Sequence, residues 1–318
     1  MRQSLSLGSV VLLVGAFSAC GNDDSSNSTP SDKAAALTVA VAFYPIEEIV
    51  RGVGGEFVKV VDLTPPGGGP HDLELTPQKA ADLENSDVVF YIGRGFQPSV
   101  EKAVAALPDS VVKVDLLDSV TMLPVTPQLA GTAGEVDGEV LEGNVDPHVW
   151  VDPVNMIAMT KVVETTLATA ASASKDAFSS NATAYEGKLA TLDGEFSAQL
   201  KTCESRTIVT SHRAFEYLSK RYDLKQIPIA GISPDEEPDP KTLEAVAAAA
   251  KADGVTTVFF EEQVPKDLSE TVAREIGATT DALDPIETIT QDDLDAGTTY
   301  ISIQEANLAS LVKALRCG

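Results

Sequence analysis

One pattern occurs twice in this chain of 318 residues, once on each side of a long helical stretch. In the first half, apolar runs at 37–43, 57–63, 87–92 and 111–115 alternate with segments of helical period or with Pro- and Gly-rich turns. In the second half, runs at 207–210, 226–230, 255–260 and 280–284 do the same. Strands that alternate with helices have to be joined by crossovers, which gives a parallel sheet with helices on both faces. Between the halves, Tyr185, Leu189, Leu192, Phe196 and Leu200 fall at steps of 4, 3, 4 and 4, a single apolar helical stripe. The expectation is an α/β chain of two similar lobes, each a mostly parallel sheet flanked by helices. The lobes span 37–175 and 203–318, and a long helix over 176–202 joins them. Thr76-Pro77 and Asp152-Pro153 mark helix starts, each with a capping side chain followed by proline at the first helical position.

The amino end reads as an export signal over 1–19. Met1-Arg2 is a short basic start, and 5–17 is an apolar run too short to span a bilayer. Ser18-Ala19-Cys20-Gly21 then resembles a bacterial lipobox, with Phe17 where that motif usually has Leu, Val or Ile. On this reading Cys20 becomes the lipidated first residue of the mature chain. The alternative is an ordinary signal with an incidental cysteine. Residues 20–36 are rich in Ser, Asn, Asp and Thr and have almost nothing to bury, so they are expected to form a disordered tether. The protein is therefore placed outside the cytoplasm, attached to the bacterial cell membrane through a lipid anchor only. With Cys20 set aside, Cys203 and Cys317 remain, an even pair in an oxidising compartment. We read them as one disulfide. Two separate thiols are the alternative.

The formal net charge of −25 argues against a nucleic-acid partner. Residues 126–144 are Gly-rich, acidic and without periodicity, which marks an exposed loop.

The chain has three histidines: His71 in Gly-Gly-Gly-Pro-His, His148 in Asp-Pro-His-Val-Trp-Val-Asp-Pro, and His212 in Val-Thr-Ser-His-Arg-Ala-Phe. Neutral imidazole is the commonest nitrogen ligand for Zn²⁺. Ligands so far apart in sequence cannot chelate from one helical turn, so they meet only if the fold gathers their loops. In doubly wound sheets ligands bind beyond the carboxyl ends of the strands. His71, His212 and Asp284 follow strands, and His148 lies in the crossing loop that ends the first lobe.

Taken together, Pro70-His71 with Thr76-Pro77, Asp146-Pro-His-Val-Trp-Val-Asp-Pro153, Thr210-Ser-His-Arg-Ala-Phe-Glu-Tyr-Leu218, Val258-Phe-Phe-Glu261 and Leu283-Asp-Pro285 resemble the cluster A-I substrate-binding proteins. These are the zinc- and manganese-binding lipoproteins of ABC importers, the ZnuA/TroA-like family. The resemblance runs from about Leu37 to Cys317. It implies a rigid linking helix, a metal held between the lobes, and a monomer that delivers its ion to a permease with its ATPase. Carried over by motif, the ligands are His71, His148, His212 and a carboxylate that the match puts at Asp284. Zinc importers of the family often carry a His-rich loop before the second ligand. Here 126–144 has no histidine, only Glu135, Asp137, Glu139 and Glu142. One of these could supply the fourth ligand, or water could.

Three imidazoles and one carboxylate suit tetrahedral Zn²⁺ as the transported ligand. Mn²⁺, the alternative, prefers more oxygen and higher coordination. Glu261, Asp146 and Asp152 are candidates to accept the second N–H of the imidazoles. A secreted zinc-dependent hydrolase is the reading from another class. It lacks a His-Glu-x-x-His motif and a clear general base, so the chain is not expected to be an enzyme.

Overall fold

The computed structural model describes residues 36–125, 141–262 and 264–318. The export signal, Cys20 and all but the last residue of the tether lie outside them, as do Glu135, Asp137 and Glu139 of the acidic segment.

The first lobe runs β1 (Leu37–Val41), α1 (Tyr44–Gly54), β2 (Val58–Asp62), α2 (Pro77–Glu84), β3 (Val88–Tyr91), α3 (Pro98–Ala106), β4 (Val112–Asp115) and α4 (Pro153–Ala170). Helix α5 (Lys175–Gln199) follows. The second lobe runs β5 (Thr207–Thr210), α6 (Glu216–Arg221), β6 (Lys225–Pro228), α7 (Pro240–Ala252), β7 (Thr257–Phe260), α8 (Asp267–Ile276), β8 (Thr279–Ala282), α9 (Gln291–Ala296) and α10 (Tyr300–Ala314). The strand orders are β2-β1-β3-β4 and β6-β5-β7-β8, the same order in both lobes. Every strand pairing is parallel. Two similar parallel α/β lobes joined by a long helix is the architecture expected from the sequence.

The helix starts follow from their caps. Thr76 accepts the Lys79 N–H at 3.2 Å, Asp152 the Val154 N–H at 2.8 Å, and Asp239 the Thr242 N–H at 2.6 Å. Each of these caps precedes a proline, which has no N–H to leave unpaired. Helices α3 and α9 were not anticipated. They are short, nine and six residues.

Alternating strand residues face different cores, because successive side chains in a strand point to opposite faces. Val39, Val41, Val88 and Phe90 face one large core, while Ala40 and Val89 face a smaller one under α2 and α3. In the second sheet Ile208 and Phe259 join the same large core. Val209 and Val258 face a separate layer under α7 and α8. The inner faces of both sheets therefore share one apolar core, together with α1, α4, α5 and α10.

Helix α5 spans that shared core. Near its start Phe178 packs edge-on against Phe57 at 6.0 Å, and Asn181 donates to the Val53 carbonyl at 3.0 Å, both in the first lobe. Near its end Phe196 stacks on Tyr222 of the second lobe at 5.0 Å. The disulfide joins Cys203, just after α5, to Cys317, just after α10, across a sequence separation of 114 residues. No helix among the described residues is long and apolar enough to cross a membrane.

Candidate metal centre

Loops beyond the carboxyl ends of the strands carry the site. His71 lies between β2 and α2, His148 between β4 and α4, and His212 two residues past β5. The three rings face one another with centroids 5.2–6.0 Å apart. A fourth side chain, Glu287, enters from the loop after β8. The donor atoms of His71, His148, His212 and Glu287 all lie within 4.8 Å of one another, and all four residues are buried.

Glu287 Oε1 sits among the three inward nitrogens. It is 3.0 Å from His212 Nε2, 3.2 Å from His148 Nε2 and 3.5 Å from His71 Nε2. His148 Nε2 makes no well-aligned hydrogen bond although it is fully buried, so a donor-hungry atom points into the cluster.

The outward nitrogens are held by carboxylates, which only accept. His148 Nδ1–H donates to Asp146 Oδ1 at 2.8 Å, and the same oxygen takes the His148 backbone N–H at 2.9 Å. His212 Nδ1–H donates to Glu261 Oε1 at 2.5 Å. Ser211 Oγ–H donates to that oxygen as well. Such partners fix the tautomer and leave Nε2 free to bind metal. Burial pushes His212 down, but the Glu261 and Glu287 carboxylates overcome it and hold the imidazole well above its usual pKa. Burial would raise Glu287, yet His212, His71 and His148 hold it well below the usual carboxylate range. His212 and Glu287 thus favour each other's charged forms across 3.0 Å, and a bound cation would serve the carboxylate in the same way.

Two residues singled out in the sequence lie elsewhere. Asp152 caps α4 and stands 3.6 Å from Arg221, away from the imidazoles. Asp284 is not in the four-donor cluster: Glu287, three residues on, takes the fourth place. The Asp284 side chain is already engaged, its Oδ1 accepting the Ile286 N–H at 2.7 Å. Burial and neighbouring carboxylates push this group up to about 7. It lines a cavity of about 300 Å³ that opens between the lobes beside His71, Asp72 and Asp235. A signal for this was present in the sequence. Asp often bonds the backbone two residues on. At all four Asp-Pro pairs, Asp146, Asp152, Asp239 and Asp284, an aspartate oxygen takes a backbone N–H two or three residues later. Leu283-Asp-Pro-Ile-Glu287 therefore holds a turn-forming Asp and a second, uncommitted carboxylate.

Residues 39–314 match the family model described as zinc-uptake complex component A, periplasmic (ZnuA). The chain belongs to the ZnuA family. It is 31% identical over 309 residues to the high-affinity zinc uptake system protein ZnuA of Bacillus subtilis, covering 93% of each chain. It is 32% identical over 276 residues to the zinc-binding lipoprotein AdcA of Streptococcus pneumoniae, covering 86% of this chain but 55% of that one. The chain thus spans about half the length of this second relative. The Zn(II)-bound ZnuA-like domain of that AdcA superposes with a TM-score of 0.74 at 31% identity, over 88% of this chain and 99% of the domain.

Proposed function

We propose that this ZnuA-family chain captures Zn²⁺ outside the cytoplasm and delivers it to an ABC import permease with its ATPase. The observation that carries the reading is the buried cluster of three imidazole nitrogens and one carboxylate within 4.8 Å. Three nitrogens and one oxygen make a closed tetrahedral sphere for zinc. Mn²⁺ would gain from more oxygen donors than this set offers. The names of the relatives, a zinc-binding lipoprotein and a zinc uptake protein, support the same metal.

A closed set of four protein donors favours a carrier over a hydrolase, since catalytic zinc keeps one position for water. The bound ion is cargo, and its release requires the lobes or loops to separate. Tethering through lipidated Cys20, with the chain acting as a monomer, completes the reading.

Metal content is measured on protein purified without added metal, followed by competition between Zn²⁺ and Mn²⁺. Stoichiometric zinc that excess manganese does not displace is expected. Displacement by equimolar manganese would turn the assignment to the manganese members of the same family. Recovery of the full chain in the membrane fraction, and its release by Cys20→Ala, tests the anchor.

A further inference from the structure

The cluster gathers loops from both lobes. Helix α10 holds two of those loops, the turn after His148 and the turn before Glu287. Tyr300, Gln304 and Asn307 are spaced 4 and 3 residues apart, so they share one face of that helix. All three are buried, an unusual run of polar groups for the inside of a helix.

Each is committed to the backbone of a ligand-bearing turn. Tyr300 Oη donates to the Trp150 carbonyl at 2.7 Å, and Gln304 Nε2 to the Val151 carbonyl at 3.0 Å. Those carbonyls belong to the short turn Val149–Val151 that His148 opens. Asn307 grips the other turn with both ends of its amide. Its Oδ1 accepts the Asp284 N–H at 2.8 Å, and its Nδ2 donates to the Asp284 carbonyl at 2.7 Å. Three residues on stands Glu287. Trp150 Nε1–H closes the arrangement by donating to the Pro285 carbonyl at 2.8 Å.

The turn that Asn307 grips needs holding. Ile286 has φ of 60°, in the left-handed region, where a β-branched residue is strained. Its side chain is fully buried. Such a conformation persists only where its surroundings over-determine it. Here Asp284 Oδ1 holds the Ile286 N–H from one side and Asn307 holds Asp284 from the other.

We infer that Asn307, with Tyr300 and Gln304, are positioning residues for the metal centre. The polar face of α10 sets the separation between His148 and Glu287, and so the affinity and geometry of the site, without touching the ion. The inference rests on reading His71, His148, His212 and Glu287 as the metal site. It also gives Asp284 a role, as the handle by which α10 orients Glu287.

The test uses the full chain and compares Asn307→Ala, Tyr300→Phe and Leu311→Ala with the unaltered protein. Leu311 is a fully buried apolar residue of the same helix, so Leu311→Ala controls for lost stability. Zn²⁺ affinity is read by chelator competition at a temperature where each metal-free variant is folded by circular dichroism. The ligand-field spectrum of the Co²⁺-loaded protein reports the geometry. Asn307→Ala is expected to weaken Zn²⁺ at least tenfold and to change the Co²⁺ bands. Tyr300→Phe, which keeps the ring and loses one hydrogen bond, is expected to weaken it about threefold. Leu311→Ala should lower the melting temperature and leave affinity and spectrum unchanged. Should Asn307→Ala not fold, Tyr300→Phe against Leu311→Ala decides alone. Affinity within twofold for the folded Asn307 or Tyr300 variant, or equal loss in the Leu311 control, overturns the inference. Failure of the unaltered protein to bind either metal would instead overturn the reading of the site.

Discussion

The two lobes share a strand order but build their halves of the metal centre from different materials. The first lobe surrounds its histidines with aromatic rings. His71 packs edge-on against Phe96 at 4.9 Å, and Trp150 lies 5.2 Å from His148. The second lobe sets two carboxylates on one histidine, Glu261 behind His212 and Glu287 in front of it, where the first has Asp146 behind His148. Support also differs in sequence distance. His148 is held by Asp146, two residues earlier in the same turn, whereas His212 is held by Glu261, 49 residues later on another strand end. A local support survives as long as its turn does. A distant one exists only while two strands keep their register. The difference teaches that a duplicated scaffold does not imply a symmetric site.

The largest expected effect concerns the stability of the second lobe. Its own outer core is small, and the disulfide between Cys203 and Cys317 encloses the whole lobe. By the chain-entropy argument a loop of this length is worth up to about 5 kcal/mol. Reduction should lower the melting temperature of metal-free protein sharply. A melt unmoved by reduction would mean that the second lobe does not depend on its crosslink.

Next comes the shared centre. His71→Ala, His148→Ala, His212→Ala and Glu287→Gln are each expected to weaken Zn²⁺ more than about 100-fold, or about 2.7 kcal/mol. Asp284→Asn keeps an oxygen for the Ile286 N–H and should stay within about threefold. Chelator competition ranks them. A larger loss at Asp284 than at Glu287 would restore Asp284 as the fourth ligand.

The supports should then separate the lobes. Outer partners of metal-bound histidines are worth about 10–100-fold in affinity. Glu261→Gln should fall near the upper end, since it removes the charge that polarises His212. Asp146→Asn should fall near the lower end, because an amide oxygen still closes the local turn. Equal losses would erase the contrast between local and distant support.

Proton linkage sharpens the same contrast. The His212 pKa is raised in the folded, metal-free protein. Its stabilising contribution is therefore complete below the unfolded value of about 6.5 and is lost as pH rises through the raised folded value. Zinc must displace that proton, so the rise in melting temperature on adding Zn²⁺ should shrink from pH 7.5 to pH 5. A zinc-induced shift that does not change across this range would argue against His212 as a ligand.

The smallest effect is expected for the acidic segment. Deleting 126–140 removes no imidazole and spares Leu141, which is buried in the shared core. Affinity should stay within about tenfold, or about 1.4 kcal/mol. A greater loss would mean that a carboxylate of the segment reaches the ion.

How far the chain could be understood without its fold depended on the range of each interaction. Strand and helix alternation, the caps at Thr76 and Asp152, and the apolar stripe of α5 were readable because period and capping are local properties. The histidines stood out because there are only three, each beside a turn or strand end. The choice between Asp284 and Glu287 left only an indirect signal, the habit of Asp of taking a backbone N–H two or three residues on. Both carboxylates occupy one short turn, and a turn carries no period to say which side faces the cleft. In the fold, Asp284 Oδ1 takes the N–H of left-handed Ile286, Asn307 of α10, 23 residues after Asp284, holds the Asp284 backbone, and Glu287 faces the histidines. Glu261 was already among the candidate partners of the imidazoles, and only the fold assigned it to His212. Sequence by itself determined the elements and the donor types, since these follow from neighbours along the chain. The tertiary structure decided which donors meet, because that depends on groups brought together across two sheets and one shared core.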